Sequence, residues 1–259
     1  MPELIIEAIC PGVTTLRINR PEKRNACNRA VWQGIADAVN GLAQGNETRA
    51  VILTGTGEHF CAGDDIVAYN ASKSSPGAAQ QHRDAIDAAY KALLDAPFPV
   101  LAAIRGACVG GAVSLAMCCD FRIAHTSARL SIPAAKLSLV YPTAHVQRLV
   151  HLVGLSAARR WLYTAEFVHA QRATHAGFFD LMTDGDAVEA ALVFAGPMLD
   201  KAPLSLIGSK MQLNAISTDT LGDVRAAVDA QIATIENSED YREAVRSFRA
   251  KSMPRFTGR

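Results

Sequence analysis

The sequence predicts an α/β fold, because three short buried strands alternate with helical segments. The strand segments are "RAVILTG", "VLAAIRG" and "FRIAHT". Each is an apolar run of strand length, and the segments between them carry apolar residues at helical spacing. Such alternation is typical of a sheet that helices cover on both faces. The 259 residues, 49% of them hydrophobic, suit one domain with an appendage or two small domains.

The first hundred residues divide into clear elements. "LIIEAI" and "VTTLRI", joined by "CPG", predict a hairpin. Asn28 is the predicted N-cap of a helix whose apolar face includes Val31, Trp32 and Ile35. After the strand "RAVILTG" comes the glycine-punctuated loop "GTGEHFCAGDDI". The small, polar residues 70–79 predict a mobile surface loop, and the helix after them should end near Pro97.

The rest of the chain changes from mixed to helical. "VLAAIRG" precedes a helix opened by Gly110 and Gly111, and "FRIAHT" follows it. Beyond residue 143 the pattern is helical, with "LGDVRAAVDAQIATI" and a last helix capped by Ser238. Spacing alone leaves open whether this helical tail packs on a partner subunit or on its own chain.

Composition excludes several classes of function. A net charge of +1 argues against a general role with nucleic acid or an anionic membrane. The segment "MPELIIEAIC" is too short and acidic for a signal peptide, and no apolar run reaches the length of a membrane span. The six cysteines form no C-x-x-C pair and no zinc spacing. We therefore expect buried thiols in a reducing cytoplasm, and no metal site.

Two glycine segments each follow a predicted strand, "FCAGDD" and "ACVGG". Free N–H groups at such turns, with the positive end of a helix beside one of them, could form an oxyanion hole for an enolate or tetrahedral oxygen. The alternative is that the glycines only allow tight turns, and spacing alone favours it. A dinucleotide site is excluded because Gly55-x-Gly57 lacks the third glycine and the following helix.

Longer motifs carry a resemblance to a known family. "INRPEKRNACNRAVWQGI", "GEHFCAGDDI", "IRGACVGGAVSLAMCCDFRIA" and "YTAEFVHAQRATHAGFFD" resemble successive signatures of the crotonase, or enoyl-CoA hydratase/isomerase, superfamily. The resemblance covers roughly residues 3–255. It implies a spiral of ββα units over residues 1–195 and a helical trimerisation region over 196–259. It also implies a homotrimer or a hexamer of two trimers, an acyl-CoA thioester as substrate and no additional cofactor.

The resemblance also implies a set of site residues. The oxyanion hole would lie on the backbone N–H groups of Ala62 and Gly111. The nucleotide and pantetheine of coenzyme A would lie along Lys23, Arg24 and Ala26. The remaining residues of the coenzyme A site would come from the two glycine segments, and they are Gly63, Asp64, Asp65, Ile66 and Gly110. We expect Asp65 to be structural, bonding loop amides.

Two glutamates that the family's hydratases use are missing. Their positions are occupied by Ser114, three residues after Gly111, and by Ala134, after Pro133. Hydration needs a base for water and an acid for the α-carbon, and each is worth about 10²–10⁴ in rate. Standard hydratase activity should therefore be nearly absent, and Ala134 argues against the family's isomerase activity as well.

Other side chains could replace the missing groups. Asp64 could act as a base or could be a solvated loop residue, and Tyr141 could donate a hydrogen bond or be a buried core residue. Ser114 points into the site, while His145, four residues after Tyr141, is a weaker candidate. Cys61 and Cys108 are expected to be packing residues. Three functions stay open: a malonyl-type decarboxylase, a hydratase or hydrolase using Asp64, and a non-catalytic acyl-CoA-binding subunit.

Overall fold

The computed structural model describes residues 1–45, 47–72 and 76–259, with only the backbone of residue 72. It confirms the α/β class. The six strands of the large sheet, in spatial order, are β1 (Leu4–Cys10), β2 (Val13–Ile18), β3 (Ala50–Gly55), β4 (Val100–Ile104), β6 (Phe121–His125) and β9 (Leu181–Thr183). A second sheet contains β5 (Ala107–Val109), β7 (Arg129–Ser131) and β8 (Val168–His169).

The described helices, in chain order, are α1 (Arg29–Gln44), α2 (Ile66–Ser72), α3 (Ala78–Asp95), α4 (Gly111–Met117), α5 (Thr143–Thr164), α6 (Ala170–His175), α7 (Ala187–Leu199), α8 (Pro203–Ile216), α9 (Leu221–Glu236) and α10 (Glu239–Ala250). Two predicted caps are confirmed. The side chain of Asn28 accepts from the N–H of Val31, and that of Ser238 from the N–H of Tyr241. Each satisfies a backbone donor at the first turn of its helix.

Five strands of the large sheet confirm the predicted segments, whereas β9, like β8 of the second sheet, lies beyond residue 143, where only helices were expected. The β1–β2 hairpin is antiparallel, and the other neighbouring pairs of the sheet are parallel. The expected loop at 70–79 is partly wrong, because residues 70–72 end α2 and residues 78–79 begin α3. Its central part, residues 73–75, lies outside the described residues.

Helices cover both faces of the large sheet. Val51 and Leu53 of β3 contact a core that includes Trp32 of α1 and Leu93 of α3. Their neighbour Ile52 points to the opposite face, where the alanines of α7 pack on it. Alternate residues of a buried strand therefore serve two separate cores, which is why these strands are apolar throughout.

The carboxyl ends of β3 and β4 place the two glycine segments side by side. β3 ends at Gly55 and β4 at Ile104, and the chain then continues into residues 61–65 and 107–111. Cys61 forms a parallel bridge with Cys108 between these two segments. In open α/β sheets this end of the strands is the usual place for a ligand.

The C-terminal helices leave much apolar surface exposed. Ile232 of α9 and Tyr241 and Phe248 of α10 are 51%, 49% and 87% exposed. The division at residue 195 stays a prediction, and residue 195 lies within α7. Within the described part of the chain, no single helix is both long and apolar enough to cross a membrane. Among the described helices, only the pair of α7 and α8 together reaches that length and composition, and the two meet at a bend of 112°.

Candidate active site

Three chain segments meet at the carboxyl end of the large sheet. Cys61 donates its N–H to the oxygen of Ala107 at 3.0 Å and accepts from the N–H of Val109 at 3.1 Å. Cys27 joins the other edge, donating to Gly63 O at 2.7 Å and accepting from the N–H of Asp65 at 2.8 Å. These bonds fix residues 61–65 between residues 24–27 and 107–111.

Gly63 allows the two glycine segments to approach closely. Its φ is +91°, a left-handed conformation that favours glycine, and a Cβ atom there would lie 2.4 Å from the oxygen of Val109. The same Cβ would lie 3.1 Å from the nitrogen of Gly111. The absence of a side chain at residue 63 is therefore what brings the backbone of 63–64 against the start of α4.

Two backbone amides at this junction have no acceptor among the described residues, those of Asp64 and Gly111. They lie close together, since a Cβ on Gly111 would be 3.6 Å from the nitrogen of Asp64. The assignment of one oxyanion amide to Ala62 needs correction, because that N–H already donates to the oxygen of Arg24 at 2.9 Å. The geometry moves the candidate amide two residues along the chain, to Asp64.

The carboxylate of Asp64 is held beside these amides. Its Oδ1 accepts from Trp32 Nε1 at 3.0 Å and lies 2.7 Å from His82 Nε2. The Asp64 side chain is 26% exposed, whereas that of His82 is only 2% exposed. The alternative of a freely solvated loop aspartate therefore does not apply, because two buried donors fix this carboxylate.

Hydroxyl groups occupy the space beyond Gly111. Ser114 Oγ and the hydroxyl of Tyr141 are 2.5 Å apart, and Tyr141 also donates to Gly110 O at 3.4 Å. The hydroxyl of Tyr90 donates to Gly111 O at 3.1 Å. Burial raises the pKa of Tyr90 and of Tyr141 well above the ordinary phenol value, so both are neutral hydrogen-bonding groups.

His145 packs beside these tyrosines but does not share a helix with Tyr141, because α5 begins at Thr143. Its ring lies 4.6 Å from that of Tyr90 and 6.0 Å from that of Tyr141, between centroids. Burial, followed by the charge of Arg148, lowers the pKa of His145 to about 4, so the imidazole is neutral at pH 7. Its buried Nδ1 has no hydrogen-bond partner among the described residues.

The segment expected to bind coenzyme A lies on the outer side of the junction. Lys23 and Arg24 are exposed, Ala26 is half-buried, and Ile66 at the start of α2 is 47% exposed. Lys23 Nζ lies 3.1 Å from Asp65 Oδ2, so part of its charge is already paired.

Asp65 is buried and bonds the loop, as expected. Its Oδ1 accepts from the N–H of Ala68 at 3.1 Å, and its Oδ2 is 3.1 Å from Arg20. Burial raises the pKa of this carboxyl, but the Ala68 N–H, Lys23 and Arg20 outweigh it and lower the pKa below its usual value. Asp65 therefore stays ionised and holds the loop.

The thiols near the site are packing groups. Cys27, Cys61 and Cys108 are 0% exposed. Burial raises the pKa of Cys27 and of Cys108 well above that of a free thiol. Cys10 in β1 is half-buried, and it is the most accessible of the six. In the part of the chain that the structure describes, no group of three or more His, Cys, Asp or Glu side chains could hold a metal ion.

Comparisons with known proteins agree with this architecture. The sequence model of the enoyl-CoA hydratase/isomerase family matches residues 9–259. The chain belongs to the enoyl-CoA hydratase/isomerase family. A structure of an enoyl-CoA hydratase/isomerase family protein from Hyphomonas neptunium superposes with a TM-score of 0.90 at 30% identity, covering 100% of this chain and 98% of that one. The crotonase-type fold expected from the motifs is thereby confirmed.

Other members of the family are similar over nearly the full length. "Enoyl-CoA isomerase/hydratase fer4" of Mycosarcoma maydis is 31% identical, covering 96% of this chain and 93% of its own. "2,3-dehydroadipyl-CoA hydratase" of Escherichia coli is 30% identical over 100% of both chains. An enoyl-CoA hydratase from Bacillus anthracis gives a TM-score of 0.87 at 25% identity, covering 100% of both chains.

Three residues beside the candidate site are not predicted from the sequence, namely Trp32, His82 and Tyr90. They lie in α1 and α3, far in sequence from both glycine segments. Trp32 was predicted only as an apolar core position, and no motif marks His82 or Tyr90. The one signal in the sequence is the imidazole of His82 on an alanine-rich helix, and this signal does not reveal which residue the imidazole contacts.

Proposed function

We propose that this chain binds an acyl-CoA thioester and stabilises its enolate with the backbone N–H groups of Asp64 and Gly111. The observation that carries the proposal is the pair of neighbouring amides that lack an acceptor among the described residues. Two such donors, aimed at one oxygen in a site that excludes water, stabilise charge that develops on the thioester carbonyl. Exposed Lys23 and Arg24 supply positive charge for the phosphates of coenzyme A.

Asp64 would transfer the proton in this proposal. Its carboxylate removes a proton from the carbon next to the thioester carbonyl, and the C–H electron pair becomes the enolate bonded by the two amides. Returning the proton to the same or another carbon completes an exchange or a double-bond shift. A single carboxylate is sufficient for this chemistry, because the base of the first step is the acid of the second.

Standard hydration would be slow in the same site. Ser114 and Ala134 stand where the family resemblance places the two glutamates, and neither side chain ionises near pH 7. The hydroxyl of Ser114 is already bonded to Tyr141. Asp64 could serve only one of the two proton transfers that water addition needs.

A second candidate function is decarboxylation of a malonyl-type acyl-CoA. The neighbouring hydroxyls of Ser114 and Tyr141 favour it, because either could leave its present acceptor and donate to a substrate carboxylate. Asp64 counts against it, since a fixed carboxylate would repel the carboxylate of the substrate. We therefore place proton transfer first.

Exchange of the α-protons of butyryl-CoA in D₂O, followed by proton NMR, tests the proposal. We expect the wild-type chain to exchange these protons and Asp64→Asn to be slower by about 10²–10⁴. Asp84→Asn, on the exposed face of α3, is the matched control and should exchange normally. Binding without exchange would identify a non-catalytic acyl-CoA-binding subunit, and CO₂ release from malonyl-CoA alone would favour the decarboxylase.

A further inference from the structure

We infer that His82 is a positioning residue that orients the carboxylate of Asp64 toward the acyl group. This inference rests on the proposed function, in which Asp64 transfers the proton. The site has a base that lies on a loop, and loop side chains are normally less fixed than those on helices. His82 lies on α3, and it supplies the rigid support that the loop lacks.

The contacts leave one oxygen of Asp64 available. Trp32 Nε1 and His82 Nε2 both bond Oδ1, at 3.0 Å and 2.7 Å. Oδ2 has no partner in the described part of the chain. Because an ionised carboxylate only accepts hydrogen bonds, Nε2 is the protonated nitrogen of His82. The two N–H donors therefore fix the rotation of the carboxylate and leave Oδ2 for the substrate.

The donors are themselves fixed by their surroundings. His82 is 2% exposed and its ring lies 5.0 Å from that of Tyr69. Trp32 is fully buried, and its ring packs edge-on against Tyr90 at 5.6 Å. Water cannot readily replace either donor at such burial, so removing one changes the orientation of Asp64 rather than only its hydration.

Trp32 also links the carboxylate of Asp64 to the candidate amide of Gly111. The indole that bonds Asp64 Oδ1 reaches the junction itself, because a Cβ on Gly111 would lie 3.4 Å from Trp32 Cζ2. Trp32 therefore bonds the carboxylate of Asp64 and also lies against the residue whose amide would bond the enolate. A misplacement of about 1 Å in such an arrangement can cost roughly 10²-fold in rate.

Three variants of the full chain test the inference through the butyryl-CoA exchange. His82→Leu removes the donor at similar volume, and we expect kcat to fall by about 10- to 100-fold with KM nearly unchanged. His82→Gln places an amide N–H near the position of Nε2 and should restore most of the rate. Trp32→Phe removes the second donor and should act in the same direction. A KM change with constant kcat would contradict a positioning role.

The outcomes separate this inference from the proposed function. If wild type exchanges, Asp64→Asn does not and His82→Leu exchanges at the wild-type rate, the role of His82 is overturned and that of Asp64 stands. If wild type does not exchange at all, the proposed function fails and this inference with it. If His82→Leu does not fold, ¹⁵N NMR of the histidine side chains in the folded wild-type protein provides a second test. We expect a protonated, hydrogen-bonded Nε2 in wild type that changes in Asp64→Asn, and an Nε2 without a proton would overturn the assignment.

Discussion

Ser114 and Tyr141 join their hydroxyl groups at 2.5 Å beside the start of α4. Ser114 lies one helical turn after Gly111, on the side of α4 that leans toward the candidate amides. The pair therefore fills, with two neutral hydroxyls, the place where the family resemblance puts a glutamate. This contact decides how the missing glutamates can be restored.

Restoring both glutamates should raise hydration of crotonyl-CoA, and it should do so more strongly when Tyr141 is shortened to make room. Wild type should be far below the usual enzyme rates of about 1–10³ per second. Ser114→Glu with Ala134→Glu adds an acid and a base, but the new side chain at 114 meets the Tyr141 hydroxyl. We expect a further gain when Tyr141→Ala is added, measured by loss of the enoyl absorbance. The corresponding glutamine variants are the control, and rapid hydration by wild type would contradict this account of the site.

Two glycines at the junction should respond differently to alanine. Gly63→Ala forces a Cβ to 2.4 Å from Val109 O at a φ of +91°, and we expect it to cost about 2–4 kcal/mol of unfolding free energy. A Cβ at Gly111 meets nothing closer than 3.3 Å. Gly111→Ala should therefore fold with a change of about 1 kcal/mol or less but bind acyl-CoA at least about tenfold more weakly, because it fills the space beside the amide.

Calorimetry with butyryl-CoA and thermal unfolding measure these two effects. Gly41→Ala is the control, since a Cβ there has no neighbour within 4 Å. Normal affinity in Gly111→Ala would place the acyl group elsewhere.

His145 should make the protein less stable in mild acid. Its pKa is about 4 in the folded chain, whereas an unfolded histidine titrates near 6.5. Between these values the unfolded chain binds more protons, so the unfolding free energy falls as the pH falls from 6.5 to 4. His145→Gln should reduce this loss by up to about 3 kcal/mol, measured by urea unfolding at pH 7 and pH 4. Exposed His175→Gln should leave the loss unchanged, and an equal effect of both variants would contradict the prediction.

The C-terminal helices should carry a subunit interface. Tyr241 and Phe248 are exposed on α10, and Ile232 is exposed on α9. Apolar surface of this kind is usually covered by a partner. We expect light scattering to give the mass of a trimer or a hexamer. Phe248→Asp should shift the mass toward the monomer, whereas Arg249→Asp, its exposed neighbour, should shift it less. A monomeric wild type at micromolar concentration would refute the interface.

The local elements of this fold could be predicted because each is determined by neighbouring residues. Asn28 and Ser238 cap their helices with their own side chains, and the β1–β2 hairpin has a short turn. The second sheet and β9 were not predicted, because β5, β7, β8 and β9 have only two or three residues each and show no measurable periodicity.

The candidate site was predictable only in part, because some of its contacts join residues that are distant in sequence. The motifs locate both glycine segments. Which backbone amide in them lacks an acceptor depends on the tertiary contact between the Ala62 N–H and the oxygen of Arg24. The donors on Asp64 come from α1 and α3, 32 and 18 residues away in sequence. Hydrogen bonds over such distances leave no trace in local periodicity, so the sequence reveals neither that the Ala62 N–H is already bonded nor that His82 contacts Asp64.

The half-buried Cys10 gives the protein a natural labelling handle. Five of its six thiols are enclosed in the core, so a maleimide dye at neutral pH should modify Cys10 first. Cys10 pairs with Val13, and Val13 pairs with Ala50 at the amino end of β3. The dye would therefore sit at the opposite end of the sheet from the glycine segments. Ligand binding could then be measured by fluorescence polarisation or single-molecule imaging on the labelled wild-type protein, without first removing any cysteine.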